Sequence, residues 1–274
     1  MQIVENLNDL KNATLPWAFT IGNFDGLHLG HQYLIKELLK ASQEKGLQSG
    51  LYTFKNHPQK VLQEKKRIKT LMTPEMKLEA LSQWPLSAIV TKEFSNELAV
   101  KSYKDFLTYF CQKVNLKLLI FGPDTAIGSK RSGSYEKVKA FGKELDFEVV
   151  KLPFYTQDNH SYSSTEIKKL LESAQLEKVK NCLGRDYSIK VKREKQESSD
   201  AYSVLLNLPS FLSLPSLGVY TVKAKAEEKE FNGTASISPN GKLLALNLDL
   251  QKTQLLPKGE WWEVSFLKLI KKEK

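Results

Sequence analysis

In the stretch T-I-G-N-F-D-G-L-H-L-G-H-Q-Y-L-I-K, Thr20 to Lys36, an apolar run ends, glycines follow and a helical pattern begins. His28 and His31, two of the four histidines in the chain, stand at that junction. The N-terminus of a helix exposes unpaired N–H groups and a partial positive charge, so it attracts phosphate. Gly22, Gly26 and Gly30 let the backbone turn tightly and approach a ligand closely. Imidazole N–H groups add directed donors. Together these parts can hold a triphosphate and neutralise charge developing on a phosphoryl group. Two other readings stand beside this one. H-x-x-H also occurs as a metal pair, but a metal wants further ligands, and the other histidines and both cysteines are distant in sequence. The pair can also be incidental.

The elements that would position these residues alternate. W-A-F-T-I (17–21) reads as a buried strand and 30–43 as a helix. Strands follow at 49–54, 87–91, 116–121 and 147–151, and helices at 102–114 and 134–145. Another helix opens at Pro74, with Thr73 as its N-cap. This alternation predicts an α/β fold with an open, mostly parallel sheet and helices on both faces. Ligands in such sheets bind outside the carboxyl ends of the strands. After Asp186 the pattern changes. The charged stretch K-V-K-R-E-K-Q-E-S-S-D (190–200) reads as a linker or a solvated hairpin. Beyond it come A-Y-S-V-L-L-N-L, L-G-V-Y-T-V-K-A, F-N-G-T-A-S-I, K-L-L-A-L-N-L and W-W-E-V-S-F-L, separated by turn signals such as Pro239-Asn240-Gly241. These predict a small antiparallel β-barrel or sandwich. The domain boundaries expected are 1–186 and 187–274.

At 41% hydrophobic and 26% charged residues the composition is that of a soluble globular protein, and no apolar run is long enough to span a bilayer. The opening M-Q-I-V-E-N-L-N-D-L is polar and partly acidic, unlike a signal peptide. Cys111 and Cys182 fall in helical patterns and fit a reducing cytoplasm. The net charge of +10 suits nucleic acid, small phosphorylated substrates or simply solvated lysine faces. No stripe interleaves the lysines with aromatics, and neither nucleic acid nor membrane is expected as a partner. Oligomeric state is not legible.

G-N-F-D-G-L-H-L-G-H resembles the G-x-F-D-G-x-H-x-G-H signature of the prokaryotic bifunctional riboflavin kinase/FAD synthetases, and H-L-G-H is similar to the H-x-G-H element of the wider nucleotidyltransferase superfamily. Further stretches resemble the family in order: T-F-K-N-H-P (53–58), F-G-P-D-T-A-I-G-S-K-R-S-G (121–133), S-S-T-E-I-K (163–168) and L-G-R-D-Y-S-I (183–189). The resemblance implies a Rossmann-like nucleotidyltransferase domain that joins ATP to FMN, giving FAD and pyrophosphate. It implies that His28 and His31 are catalytic, donating to the α- and β-phosphates. Gly22, Asn23, Phe24, Asp25, Gly30, Ser163, Ser164, Thr165 and Lys168 would bind ATP, and Asn56, His57, Pro58, Asp124 and Arg131 would line the flavin side. Mg²⁺ would bridge phosphate oxygens rather than occupy a protein cage.

Each of these positions also has a local reading. Ser163 and Glu166 form a capping box whatever else they do. His57-Pro58 and Asp124 can be ordinary turn residues, and Arg131 a surface charge. Lys168 stands where the family has arginine and loses the bidentate fork. Asn56 replaces a proline, which predicts a less fixed loop. Thr125 and Ile127 replace two aromatics, so flavin stacking is not expected from them.

The β-rich half resembles the family's kinase barrel at L-P-S-L-G-V-Y-T-V (214–222) and K-L-L-A-L-N-L-D-L (242–250). The family's G-x-P-T-A-N segment has no counterpart between Gly184 and Gly218, and Ala245 or Leu244 stands at the catalytic glutamate position. A degenerate barrel without riboflavin kinase activity is therefore expected. Three alternatives remain open on sequence: a fully bifunctional enzyme, a non-catalytic flavin-nucleotide binder, and an RNA-directed relative of the aminoacyl-tRNA synthetases.

Overall fold

The computed structural model describes residues 1–63, 67–157, 160–194, 203–249, 257 and 259–272. The chain forms two compact units. The first comprises Met1–Ile68 with Lys77–Tyr162, the second Lys69–Met76 with Ser163–Lys274.

The elements run β1 (Gln2–Val4), β2 (Trp17–Ile21), α1 (Leu29–Lys45), β3 (Gln48–Phe54), α2 (Pro58–Leu62), α3 (Pro74–Ser82), β4 (Ala88–Lys92), α4 (Asn96–Val100), α5 (Tyr103–Lys113), β5 (Leu116–Phe121), α6 (Tyr135–Glu144) and β6 (Glu148–Lys151). Six parallel strands lie in the order β1-β4-β3-β2-β5-β6. A two-stranded ribbon of β7 (Thr156–Gln157) and β8 (His160–Ser161) follows.

Every residue of β2 is buried, because the sheet is covered on both faces. The strand period of two then divides its side chains. Trp17, Phe19 and Ile21 join Phe106, Leu107 and Phe110 of α5 and Val138 and Phe141 of α6 in one core. Ala18 joins Leu34, Ile35 and Leu38 of α1 in the other. The expected strands and helices of this half are present within one or two residues of their predicted ends, and Thr73 Oγ1 accepts from the Met76 N–H at 3.2 Å as the cap of α3. Helix α1 ends at Gly46, whose φ of 64° is the left-handed value a C-cap requires. The edge strand β1, the short helices α2 and α4 and the β7–β8 ribbon were not foreseen, each too short to show a period.

The second unit carries α7 (Ser164–Glu172), α8 (Leu176–Leu183) and a closed barrel of β9 (Tyr187–Arg193), β10 (Ser203–Asn207), β11 (Gly218–Ala226), β12 (Lys229–Ile237), β13 (Leu243–Leu248) and β14 (Trp261–Lys272). The barrel order is β10-β13-β12-β11-β14-β9, every pairing antiparallel. Its interior is filled by Tyr220, Trp262 and Phe266 with aliphatic neighbours. Segment 69–76 joins this unit through Thr70, which bridges Leu212 and exchanges backbone hydrogen bonds with Phe211 and Ser213 at 2.7 and 2.8 Å. Residues 190–193 of the charged stretch lie in β9, whereas 195–202 lie outside the described residues.

Gly50 in β3 shows how closely the sheet is packed: a Cβ there would lie 2.2 Å from the Phe19 ring. Gly50→Ala should destabilise the fold by about 1–3 kcal/mol through overpacking, measured as a lowered urea midpoint.

Candidate active site

The chain runs outward from β2 into β3 and β4 on one side, and into β5 and β6 on the other. The order therefore reverses between β2 and β5, and in open α/β sheets ligands bind beyond the carboxyl ends at such a point. Three of the segments singled out in the sequence follow β3, β2 and β5, which are neighbours in the sheet. Parallel pairing puts Asn56–Pro58, Gly22–His31 and Asp124–Arg131 at one edge.

The central turn is tightly wound. Phe24 and Leu27 have φ of 53° and 43°, and Gly26 has 81°. Left-handed backbone in two bulky residues is uncommon, and such strain concentrates at functional sites. The turn is held by Gly22 N–H donating to Tyr52 O at 3.0 Å, Thr53 Oγ1 to Asn23 O at 3.3 Å, and Gln32 Nε2 to Leu27 O at 2.9 Å. Phe24 and Asp25 are buried.

His28 is the N-cap of α1, and its Nδ1 accepts the His31 N–H at 3.4 Å. An accepting Nδ1 carries no proton, so the neutral ring bears its proton on Nε2 and has a donor there. The two imidazoles stack with centroids 3.7 Å apart at 22°, and His31 also packs against Phe24 at 5.1 Å. Gly30 lies under this stack. A Cβ there would come within 3.2 Å of Nδ1 and Cε1 of His28, and 3.6 Å from Tyr162 O. His31 Nδ1 is buried and has no hydrogen-bond partner among the described residues. Burial, then the neighbouring His28, then Lys77 hold the His31 pKa well below its ordinary value, so the ring is neutral at neutral pH.

Lys77 went unnoticed in the sequence. It is buried on α3, and its ammonium donates to Asn23 O at 3.2 Å and to Phe54 O. Burial pushes its pKa down to about 8, with Asp25 acting in the opposite direction. A lone lysine in an amphipathic helix gives no sign of this, because both partners are backbone carbonyls. Three tyrosines also gather beside α1: Tyr33 and Tyr155 with centroids 5.3 Å apart, and Tyr155 and Tyr162 at 5.9 Å.

After β3, Asn56 Nδ2 donates to Phe94 O at 2.9 Å and Asn56 Oδ1 accepts the Phe94 N–H at 2.7 Å. This corrects the expectation of a less fixed loop: a side-chain amide reproduces a two-way backbone pairing where the family has a proline. His57 caps α2 by accepting the Gln59 N–H at Nδ1, 3.2 Å, and Pro58 takes the first helical position. After β5, exposed Arg131 donates from Nη2 to the backbone carbonyl of exposed Asp124 at 2.6 Å, closing that loop on itself. Ile127, at one of the replaced aromatic positions, is buried in the core and exchanges backbone hydrogen bonds with Gly133.

Ser163, Ser164, Thr165 and Lys168 belong to the second unit. Ser163 caps α7, its Oγ accepting the Glu166 N–H at 3.2 Å, one arm of the expected capping box. Among the described residues no three His, Cys, Asp or Glu side chains cluster as a metal site. No helix among them is long and apolar enough to cross a membrane.

A family model described as FAD synthetase matches residues 11–166. The bifunctional riboflavin kinase/FMN adenylyltransferase of Buchnera aphidicola subsp. Schizaphis graminum is 30% identical over 248 residues, covering 86% of this chain and 78% of that protein. The protein of the same name from Haemophilus influenzae is 27% identical over 100% of this chain and 92% of its own length. A crystal structure titled as a macrolide-efflux protein from Streptococcus pneumoniae matches with a TM-score of 0.84 at 21% identity, covering 100% of this chain and 91% of that one. Likeness at that identity is of fold alone.

The depressed His31 pKa has a consequence for stability. The unfolded chain, with its ordinary value of 6.5, binds the proton more readily than the folded one. The contribution is therefore full above about pH 6.5 and declines as pH falls below it, by at most about 1.4 kcal/mol per pH unit from this one group. Urea midpoints between about pH 7 and about pH 5 should fall less in His31→Gln than in the wild type.

Proposed function

The chain belongs to the FAD synthetase family, and from that premise we propose that it transfers AMP from ATP to FMN, giving FAD and pyrophosphate. The observation that carries this reading is the stacked His28–His31 pair over Gly30, at the N-terminus of a 17-residue helix and beside the point where the strand order reverses.

An oxygen of the FMN phosphate attacks the α-phosphorus of ATP in line. The new P–O bond forms as the bond to pyrophosphate breaks, and the electron pair leaves with pyrophosphate. No protein nucleophile is needed, so catalysis consists of positioning and charge stabilisation. The His28 Nε2–H and the His31 ring donate to the α- and β-phosphates as negative charge moves outward. A neutral His31 suits this task, since a donor is needed and no proton has to be released. Gly22, Asn23, Phe24, Asp25 and Gly30 form the turn around the phosphates. Ser163, Ser164, Thr165 and Lys168 act as a second anion-binding turn, with hydroxyls, first-turn N–H groups and a cation. Mg²⁺ would enter with ATP as part of the substrate.

Asn56, His57, Pro58, Asp124 and Arg131 bind the flavin side. The clamped Asn56 and the Arg131–Asp124 closure keep those two loops in fixed conformations, so little ordering is left for the flavin to induce.

Riboflavin kinase activity is lost in this reading. Phosphorylating riboflavin needs a base for the ribityl hydroxyl. Leu244 is wholly buried inside the barrel. Ala245 alternates to the outer side, and its cross-strand partners are Leu205 and Ser236. None of these side chains can accept that proton. Product analysis after separate incubations tests both halves: ATP with FMN should yield FAD, and ATP with riboflavin should yield no FMN. Flavin binding without pyrophosphate release would identify a non-catalytic binder instead. His28→Ala and His31→Ala should each lower FAD formation on the order of 10²–10³-fold, and near-normal turnover in both would remove the histidines from the mechanism.

A further inference from the structure

Lys77 is a buried ionisable group that the reaction as described does not use. Its ammonium spans two elements, donating to Asn23 O in the turn after β2 and to Phe54 O at the end of β3. These carbonyls lie at the carboxyl ends of adjacent strands, beside the point where the strand order reverses. A trans peptide is planar, so its C=O and the following N–H point in opposite directions. The Asn23–Phe24 bond is trans. Drawing the Asn23 carbonyl toward Lys77 therefore turns the Phe24 N–H away from it. The next residue, Phe24, already holds a φ of 53°, so the direction of that amide is set by a strained turn that something must hold. The same rule acts at the second carbonyl, where the opposed Lys55 N–H donates to Lys92 O of β4 at 2.9 Å.

We propose that Lys77 is a positioning residue for adenylyl transfer: it clamps the Asn23 and Phe54 carbonyls, aims the Phe24 N–H at the nucleotide phosphates, and sets a buried positive charge behind the turn. This rests on reading that turn as the phosphate cradle. The charge is close enough to act on His31 across the turn. The charged or titratable groups that act on Lys77 or respond to it are Asp25 in the turn and His31 on α1, while β3 presents the Phe54 carbonyl. Glu75 and Glu79 on its own helix are exposed. His31 is neutral throughout the alkaline range, so loss of the Lys77 charge is the change expected there. With its pKa lowered to about 8, that loss falls within a measurable window.

The test compares the full chain with Lys77→Met and Lys77→Arg, following FAD formation from ATP and FMN and binding of α,β-methylene-ATP by calorimetry. In the wild type, kcat/KM for ATP and analogue affinity should both fall on the alkaline side of about pH 8. Lys77→Met should lower kcat/KM for ATP on the order of 10²-fold at about pH 7, with a flat profile above it. Lys77→Arg keeps the charge at all these pH values, so it should recover part of the activity and lose the alkaline fall. A circular-dichroism melt separates misfolding from this effect. If Lys77→Met does not fold, the Lys77→Arg profile decides. An alkaline fall that survives in either folded variant, or wild-type activity in Lys77→Met, overturns the proposal. A wild type that makes no FAD overturns the functional reading instead, whatever Lys77 does.

Discussion

One hydrogen bond organises the site: the His31 amide to Nδ1 of His28, at 3.4 Å. A helix must satisfy its first N–H groups, and serine, threonine, aspartate or asparagine usually caps them. Here an imidazole does so. The cap uses one ring nitrogen as acceptor and leaves the other as donor, so a structural requirement selects a tautomer. The ring then lies over the first turn, which is why glycine stands at position 30 and why His31 can stack at 3.7 Å. Capping, tautomer, stacking and the neutral state of His31 follow from the same placement.

That arrangement has a cost in backbone strain, and the surroundings show how it is met. Phe24 and Leu27 adopt left-handed conformations that phenylalanine and leucine disfavour. Phe24 offsets this by burial beside His31, and the carbonyls of the turn are tied to Thr53, Gln32 and Lys77. The strained turn is held by neighbours that come from β3, α1 and α3, which are separate stretches of sequence.

This explains what the sequence made legible. The parallel sheet, its helices and the barrel strands were readable because hydrophobic period is a local property. The histidine turn was readable because strand, glycines, histidines and helix are contiguous. Lys77 was not, since its partner Asn23 is 54 residues away and contributes only a carbonyl. Asn56 was misread as loosening its loop, because its clamp depends on Phe94, 38 residues further on. The capping role of Ser163 was legible in a three-residue spacing, and that of Thr73 in the proline that follows it. Side chains acting on distant backbone leave no mark in a one-dimensional pattern.

The strand order carries a consequence for biosynthesis. β1 pairs with β4, Gln2 lying opposite Ala88. β1 therefore has no partner in the sheet until β4, a much later segment, has emerged, and β3 must already flank β4 for the sheet to extend that far. A nascent chain would build this sheet from its middle, around β2 and β3, and β1 would wait for β4 before it could dock.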